Sequence, residues 1–143
     1  MPVASRTIRI NRPCEDVFAF FTDVRNDRVW RPHLVTADGP SKPRAGSLIH
    51  ETFAGPGHRE VPADIRVTVC EPPERYAFEV LNGPVRPHCQ FVFSRADGGT
   101  DVTLRLTAEV GGIKGLLTRA AVRRALEAEV AGLDLVKETL ETG

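Results

Sequence analysis

The chain of 143 residues carries 19 Lys and Arg against 19 Asp and Glu, so no net positive field directs it to nucleic acid. With 41% hydrophobic residues it can bury one core, and a single domain spanning residues 1–143 is expected, without a disulfide or structural metal to hold it together. Cys14, Cys70 and Cys89 are odd in number, widely spaced and lack a C-x-x-C pair, which argues against a disulfide framework or zinc site and for a reducing cytoplasm.

The first 13 residues alternate polar and apolar types with no continuous apolar stretch, so an unexported protein is expected. No later segment approaches the ~20 apolar residues of a membrane span. Residues 5–11 predict a first strand, with Ile8 and Ile10 on one face and Thr7 and Arg9 on the other. Pro13 suits a first helical turn, Glu15 and Asp16 favour its positive end, and Val17, Phe18, Phe20 and Phe21 supply an apolar face. A second short helix is expected over 24–29, ended by Trp30-Arg31-Pro32 because the residue before proline avoids the helical region.

Strands are predicted over 34–38, 47–53, 61–70, 75–81, 88–95 and 100–109. They are separated by Gly39-Pro40, Gly55-Pro56-Gly57, Pro72-Pro73, Gly83-Pro84 and Asp97-Gly98-Gly99, connections short enough for an antiparallel meander. Alternation is clearest in Val61, Ala63, Ile65, Val67 and Val69, in Tyr76, Phe78 and Val80, and in Val102, Leu104 and Leu106. The strand over 47–53 allows two registers, with Leu48, His50 and Thr52 inward or Ile49, Glu51 and Phe53 inward. The second is favoured because Ile49 and Phe53 are larger and more apolar, and it brings Glu51 inside unless that carboxylate sits at a wet rim.

One long amphipathic helix is expected over 113–141. Val122, Ala125, Leu126, Leu133, Val136 and Leu140 form its apolar face, and Arg123, Glu127, Asp134 and Glu138 a solvated flank. Thr118 and Glu129 break the pattern by falling on the apolar face. Glu129 either reaches past small neighbours to water or an arginine, or serves as a polar anchor or general acid/base in an apolar pocket. Gly132, costly inside a helix by roughly 1 kcal/mol, points to close packing or ligand space.

This order of elements resembles the START-like or SRPBCC superfamily, the helix-grip fold of the major birch pollen allergen, and within it the bacterial polyketide cyclase/dehydratase-like branch. The resemblance rests on Ile8-Arg9-Ile10-Asn11-Arg12-Pro13 with Glu15, Val17 and Phe18, on Asp23 and Trp30-Arg31-Pro32, on Gly46, and on Val69-Cys70-Glu71-Pro72-Pro73-Glu74-Arg75. Gly99-Thr100 and Leu133, Val136, Lys137, Leu140 and Glu141 complete it. It implies an α+β helix-grip fold: a curved antiparallel sheet of about six or seven strands, two short helices after the first strand, and a long C-terminal helix across the concave face.

The resemblance also implies a cavity between sheet and helix for lipids, polyketides, sterols or other apolar molecules, which some relatives transform and many only bind. Trp30, Phe53, Ile65, Phe78, Phe91, Leu104 and Val122 are the candidate apolar contacts, and Thr118, Glu51 and Glu129 the polar ones. The expected function is binding of a small hydrophobic or aromatic molecule. The alternatives are a cyclase or dehydratase using Glu129 or Glu51 as proton carrier, and a co-chaperone-like module that docks a protein on its sheet. No cofactor is expected and the iron-dependent aromatic-ring branch is not, since the ligand set is missing; a monomer or homodimer is expected.

His33, His50, His58 and His88 show no paired spacing, so no metal site is expected; His33 and His88 are candidate rim donors against a default of surface histidines. Trp30 is either a cavity wall or a core anchor. No cysteine has an adjacent basic residue, so all three are read as inert thiols. Residues 54–58 lack a strand-to-helix context for phosphate and read as a mobile hairpin tip able to gate the cavity.

Overall fold

The structure is a computed structural model, and it describes residues 3–31, 33–82, 85–110, 123–124 and 126–142. Strand β1 (Val3–Ile10) leads into helix α1 (Cys14–Thr22) and a 3-10 turn over Val24–Val29. Then come β2 (Leu34–Asp38), β3 (Leu48–Ala54), β4 (Glu60–Pro62), β5 (Ile65–Glu71), β6 (Arg75–Val80), β7 (Val85–Ala96) and β8 (Gly99–Val110). Residues 126–131 are helical, and after a turn at Gly132 the chain ends in α2 (Leu133–Thr142).

Seven strands lie in the order β1-β8-β7-β6-β5-β3-β2, all paired antiparallel, and the short β4 pairs with β3 beside that path. The first strand therefore closes against the last. β7 and β8 join through Asp97-Gly98, a two-residue hairpin turn in which Gly98 takes φ of 75°, a left-handed conformation that glycine adopts without steric cost. This gives the α+β helix-grip arrangement, with α1 packed on β7 and β8 and the last helix on β1 and the 3-10 turn.

Alternation holds wherever a strand buries one face. Ile8 and Ile10, Tyr76 and Phe78, and Val102, Leu104 and Leu106 all point into one continuous core. From α1 the core takes Cys14, Val17, Phe18 and Phe21, and from the last helical segment Leu126, Val130, Leu133 and Val136. Arg123, Glu127, Asp134 and Glu138 are exposed, as a solvated flank requires.

Three expectations change. The strand over 61–70 is two strands, because Pro62 has no N–H for the ladder, the Ala63 N–H donates to the Glu51 carbonyl and the Asp64 N–H to Asn82 Oδ1. Val61, expected on the inward face, is consequently 46% exposed on β4. The helix expected over 24–29 is a 3-10 turn, opened by Asp23, whose carboxylate accepts from the Arg25 N–H at 3.1 Å.

The single long helix is interrupted at Gly132. A Cβ there would stand 2.4 Å from the Trp30 carbonyl oxygen, so the glycine marks close packing of helix against backbone. Ala125, Val122, Thr118 and the stretch 113–122 of the helix expected over 113–141 lie outside the described residues.

Candidate functional site

The 3-10 turn and the two residues that follow it hold a buried charge cluster. Arg31 N–H donates to the Asp27 carbonyl at 3.1 Å, which sets the two side chains one helical turn apart and on the same side. Arg31 is almost wholly buried, with side-chain exposure of 5%, and a buried guanidinium demands compensation. Three carboxyl groups from three elements supply it. Glu51 on β3 accepts from Arg31 Nη1 at 3.1 Å, Glu129 Oε1 stands 2.8 Å from Nε, and Asp27 Oδ2 stands 3.9 Å from Nη1. Glu129 lies off the Nε–H direction, so charge carries that contact more than a directed hydrogen bond does.

Aromatic rings close around the cation. The guanidinium carbon lies 4.4 Å from the Trp30 ring centre and 5.4 Å from that of Phe78. Trp30 packs edge-on against Phe21 and Phe91 at 6.1 and 5.9 Å. Trp30 Nε1 is buried with no hydrogen-bond partner among the described residues.

Burial pushes the Asp27 carboxyl up to about 9; Arg31 opposes this, while Glu51 and Glu129 add to it. Asp27 therefore keeps its proton at neutral pH and shares a side-chain hydrogen bond with Glu51. Glu51 Oε2 is buried and receives no donor among the described residues. Burial works against the charge on Arg31, yet Glu129, Glu51 and Asp27 outweigh it and hold its pKa above the ordinary value. The Cys89 thiol and the Tyr76 phenol, both buried in the same core, are pushed upward chiefly by burial, so Cys89 is a protonated and unreactive thiol.

The residues singled out by sequence divide accordingly. Ile49 and Glu51 are buried, Phe53 is half-buried, and Leu48 and His50 are exposed, which is the register favoured for β3. Glu51 and Glu129 meet at Arg31, beside Trp30 and Phe78. Ile65, Phe91 and Leu104 are packed in the continuous core, and Thr118 and Val122 lie outside the described residues. His33, His50, His58 and His88 are all exposed. A separate groove of about 450 Å³ runs between α1 and the turns before β3 and β6, lined in part by Phe18, Lys42, Pro43 and Cys70, and contains none of the candidate site residues.

Asp27 and Arg31 escaped the sequence reading of the site. Asp27 carries no signal of its own in a short polar helix, and Arg31 reads as part of the helix stop. The signal was there in combination: two carboxylates predicted inward from different elements require a buried cation, and Arg31 is held beside Trp30.

Residues 1–141 match the family described as polyketide cyclase / dehydrase and lipid transport. The comparison with curated proteins gives no match. Among solved structures, a protein from Thermus thermophilus is similar at 21% identity and a TM-score of 0.79, covering 97% of each chain. The di-domain ARO/CYC StfQ of the steffimycin biosynthetic pathway is similar at 16% identity and a TM-score of 0.81, over 98% of this chain and 51% of its own. Ara h 8.0201 is similar at 10% identity and a TM-score of 0.69, over 99% of this chain and 98% of its own. At these identities the likeness is one of fold.

Proposed function

Because the chain belongs to the polyketide cyclase / dehydrase and lipid transport family, we propose that it binds a small hydrophobic or aromatic molecule between the sheet and the last helical segment. Trp30, Phe53, Ile65, Phe78, Phe91 and Leu104 are its proposed apolar contacts, with Glu129 and Glu51 as its proposed polar groups. The observation that carries this reading is the buried Trp30 Nε1, a donor without an acceptor among the described residues, standing over a guanidinium that three carboxyl groups already hold. Leaving such a donor unpaired costs about 1–3 kcal/mol, so a site that offers it to a ligand oxygen gains from binding.

Trp30 is the sole tryptophan in the sequence, so one indole N–H resonance reports on the site. Native mass spectrometry with an aromatic and lipid panel should give a one-to-one complex, and the same compound should move the Trp30 indole signal. Complexes that leave that signal unmoved would place the ligand elsewhere.

The catalytic alternative has its own supporting observation. Asp27 keeps a proton at neutral pH and is hydrogen-bonded to Glu51, a pairing suited to a proton carrier. Turnover of a polyketide-like substrate that falls about 10²-fold or more in Glu51→Gln, with ligand affinity kept, would replace binding by cyclase or dehydratase chemistry.

A further inference from the structure

We propose that the groove beside α1 is a second binding site, which takes a small aliphatic molecule carrying one negative charge. It is separate from the binding role proposed above, since none of the residues assigned to that role lines it. The groove measures about 450 Å³, within the range of about 300–1,000 Å³ typical of small-molecule pockets. Its walls come from α1 and from two proline-bearing turns, Pro43 before β3 and Pro72-Pro73 before β6. Phe18, buried against Tyr76 and Phe93, forms the floor. Ala19, exposed on α1, is too small to fill the space beside it.

The lining selects the body of the ligand. Phe18 is the one aromatic residue in it, among Ala19, Pro43, Cys70 and the two later prolines, so an occupant meets mainly aliphatic surface. No pair of ring faces in this lining stands ready to hold an aromatic ligand, and a flexible chain suits it better. The rim selects the charge. Glu15 pairs with Arg95, and Asp23 takes Nε and Nη2 of Arg25 at 3.0 and 2.7 Å, so both carboxylates of the rim are already answered by cations. Lys42, exposed in the turn before β3, makes no ion pair or hydrogen bond with a described residue. Ser41 beside it adds a hydroxyl to the lining. The Thr22 hydroxyl and the Cys70 thiol are committed instead, donating to the Phe18 and Pro43 carbonyls at 2.9 and 3.1 Å. An ammonium at the mouth of an apolar groove pairs with an anionic headgroup while the chain leaves water.

Octanoate, 1-octanol and octylammonium carry the same chain under three headgroups and decide the matter with the wild-type protein at neutral pH. Affinities are read by NMR titration. Location is read from the rate at which iodoacetamide alkylates Cys70, the thiol that lines the groove, since Cys14 and Cys89 are buried. Octanoate should bind about fivefold tighter than octylammonium, the scale of a partly exposed ion pair, and should slow alkylation of Cys70 severalfold. Lys42→Glu, at an exposed position that leaves the fold intact, should invert the order of the two ions and leave 1-octanol unchanged. Ala19→Leu, also exposed and nearly as favourable to a helix, should fill the groove and weaken all three. Octanoate that binds without protecting Cys70, or with an affinity that Lys42→Glu leaves unchanged, would lie elsewhere and overturn the proposal. Octylammonium that binds as tightly as octanoate would overturn it too, as would the absence of any binding. The binding role proposed above is read at the Trp30 indole signal and stands or falls separately.

Discussion

At the scale of single residues, the buried charge cluster decides how stability responds to pH. Asp27 holds its proton in the folded protein up to about 9, whereas in the unfolded chain it loses it near its ordinary 3.8. Between those values the folded state binds the extra proton, so stability falls as pH rises; the contribution is fully present below the lower value and gone above the higher one. The slope for this one group is at most about 1.4 kcal/mol per pH unit. Asp27→Asn keeps the shape and removes the titration. Urea denaturation from pH 5 to 9 should therefore show a flatter decline in the variant, and a variant as steep as the parent would mean that Asp27 is not the group that titrates. Of the four members of this cluster, sequence reading found the two glutamates by their misplacement on apolar faces. It missed Asp27 and Arg31 because their partners lie on β3 and in the last helical segment, far away along the chain.

Among elements, the junction of the last helix with the 3-10 turn matters most to the site. Gly132 lets helix and Trp30 backbone approach, and that approach carries Glu129 to Arg31. Gly132→Ala sets two effects against each other. Alanine favours a helix by about 1 kcal/mol over glycine, but its Cβ would lie 2.4 Å from the Trp30 carbonyl oxygen, a clash with rigid backbone. Overpacking of this kind costs about 1–3 kcal/mol. A net loss in thermal stability is expected, with a changed near-ultraviolet circular dichroism signal from Trp30. A variant more stable than the parent would show that the backbone yields easily. The glycine was readable in sequence as a sign of close packing. The break it makes in the helix was not, since a helical period survives a one-residue turn. The split of the strand over 61–70 had a visible cause in Pro62, but the alternation of Val61, Ala63 and Ile65 masked it.

Across the whole molecule, two kinds of contact tie the C-terminal helix to the sheet, and their magnitudes differ. On the outside, Arg6 pairs with Asp134 at 2.6 Å, the Asn11 N–H donates to Glu141 at 2.8 Å, and the Arg12 side chain donates to the Leu140 carbonyl. On the inside, Leu133 and Val136 are fully buried. The helix-grip arrangement was legible in sequence because it depends on this inner apolar face and on strand alternation, which are periodic; the polar ties are not periodic and were invisible. The Arg6–Asp134 pair is solvated on both sides and screened by salt, so it is worth less than about 1 kcal/mol. Leu133→Ala removes a fully buried side chain and leaves a cavity in the core, at a cost of about 2–5 kcal/mol. Equilibrium denaturation should thus rank Leu133→Ala far below Arg6→Ala in stability, and added salt should shift the parent only slightly. Equal losses in the two variants would mean that charge, and not the apolar seam, holds the helix on the sheet.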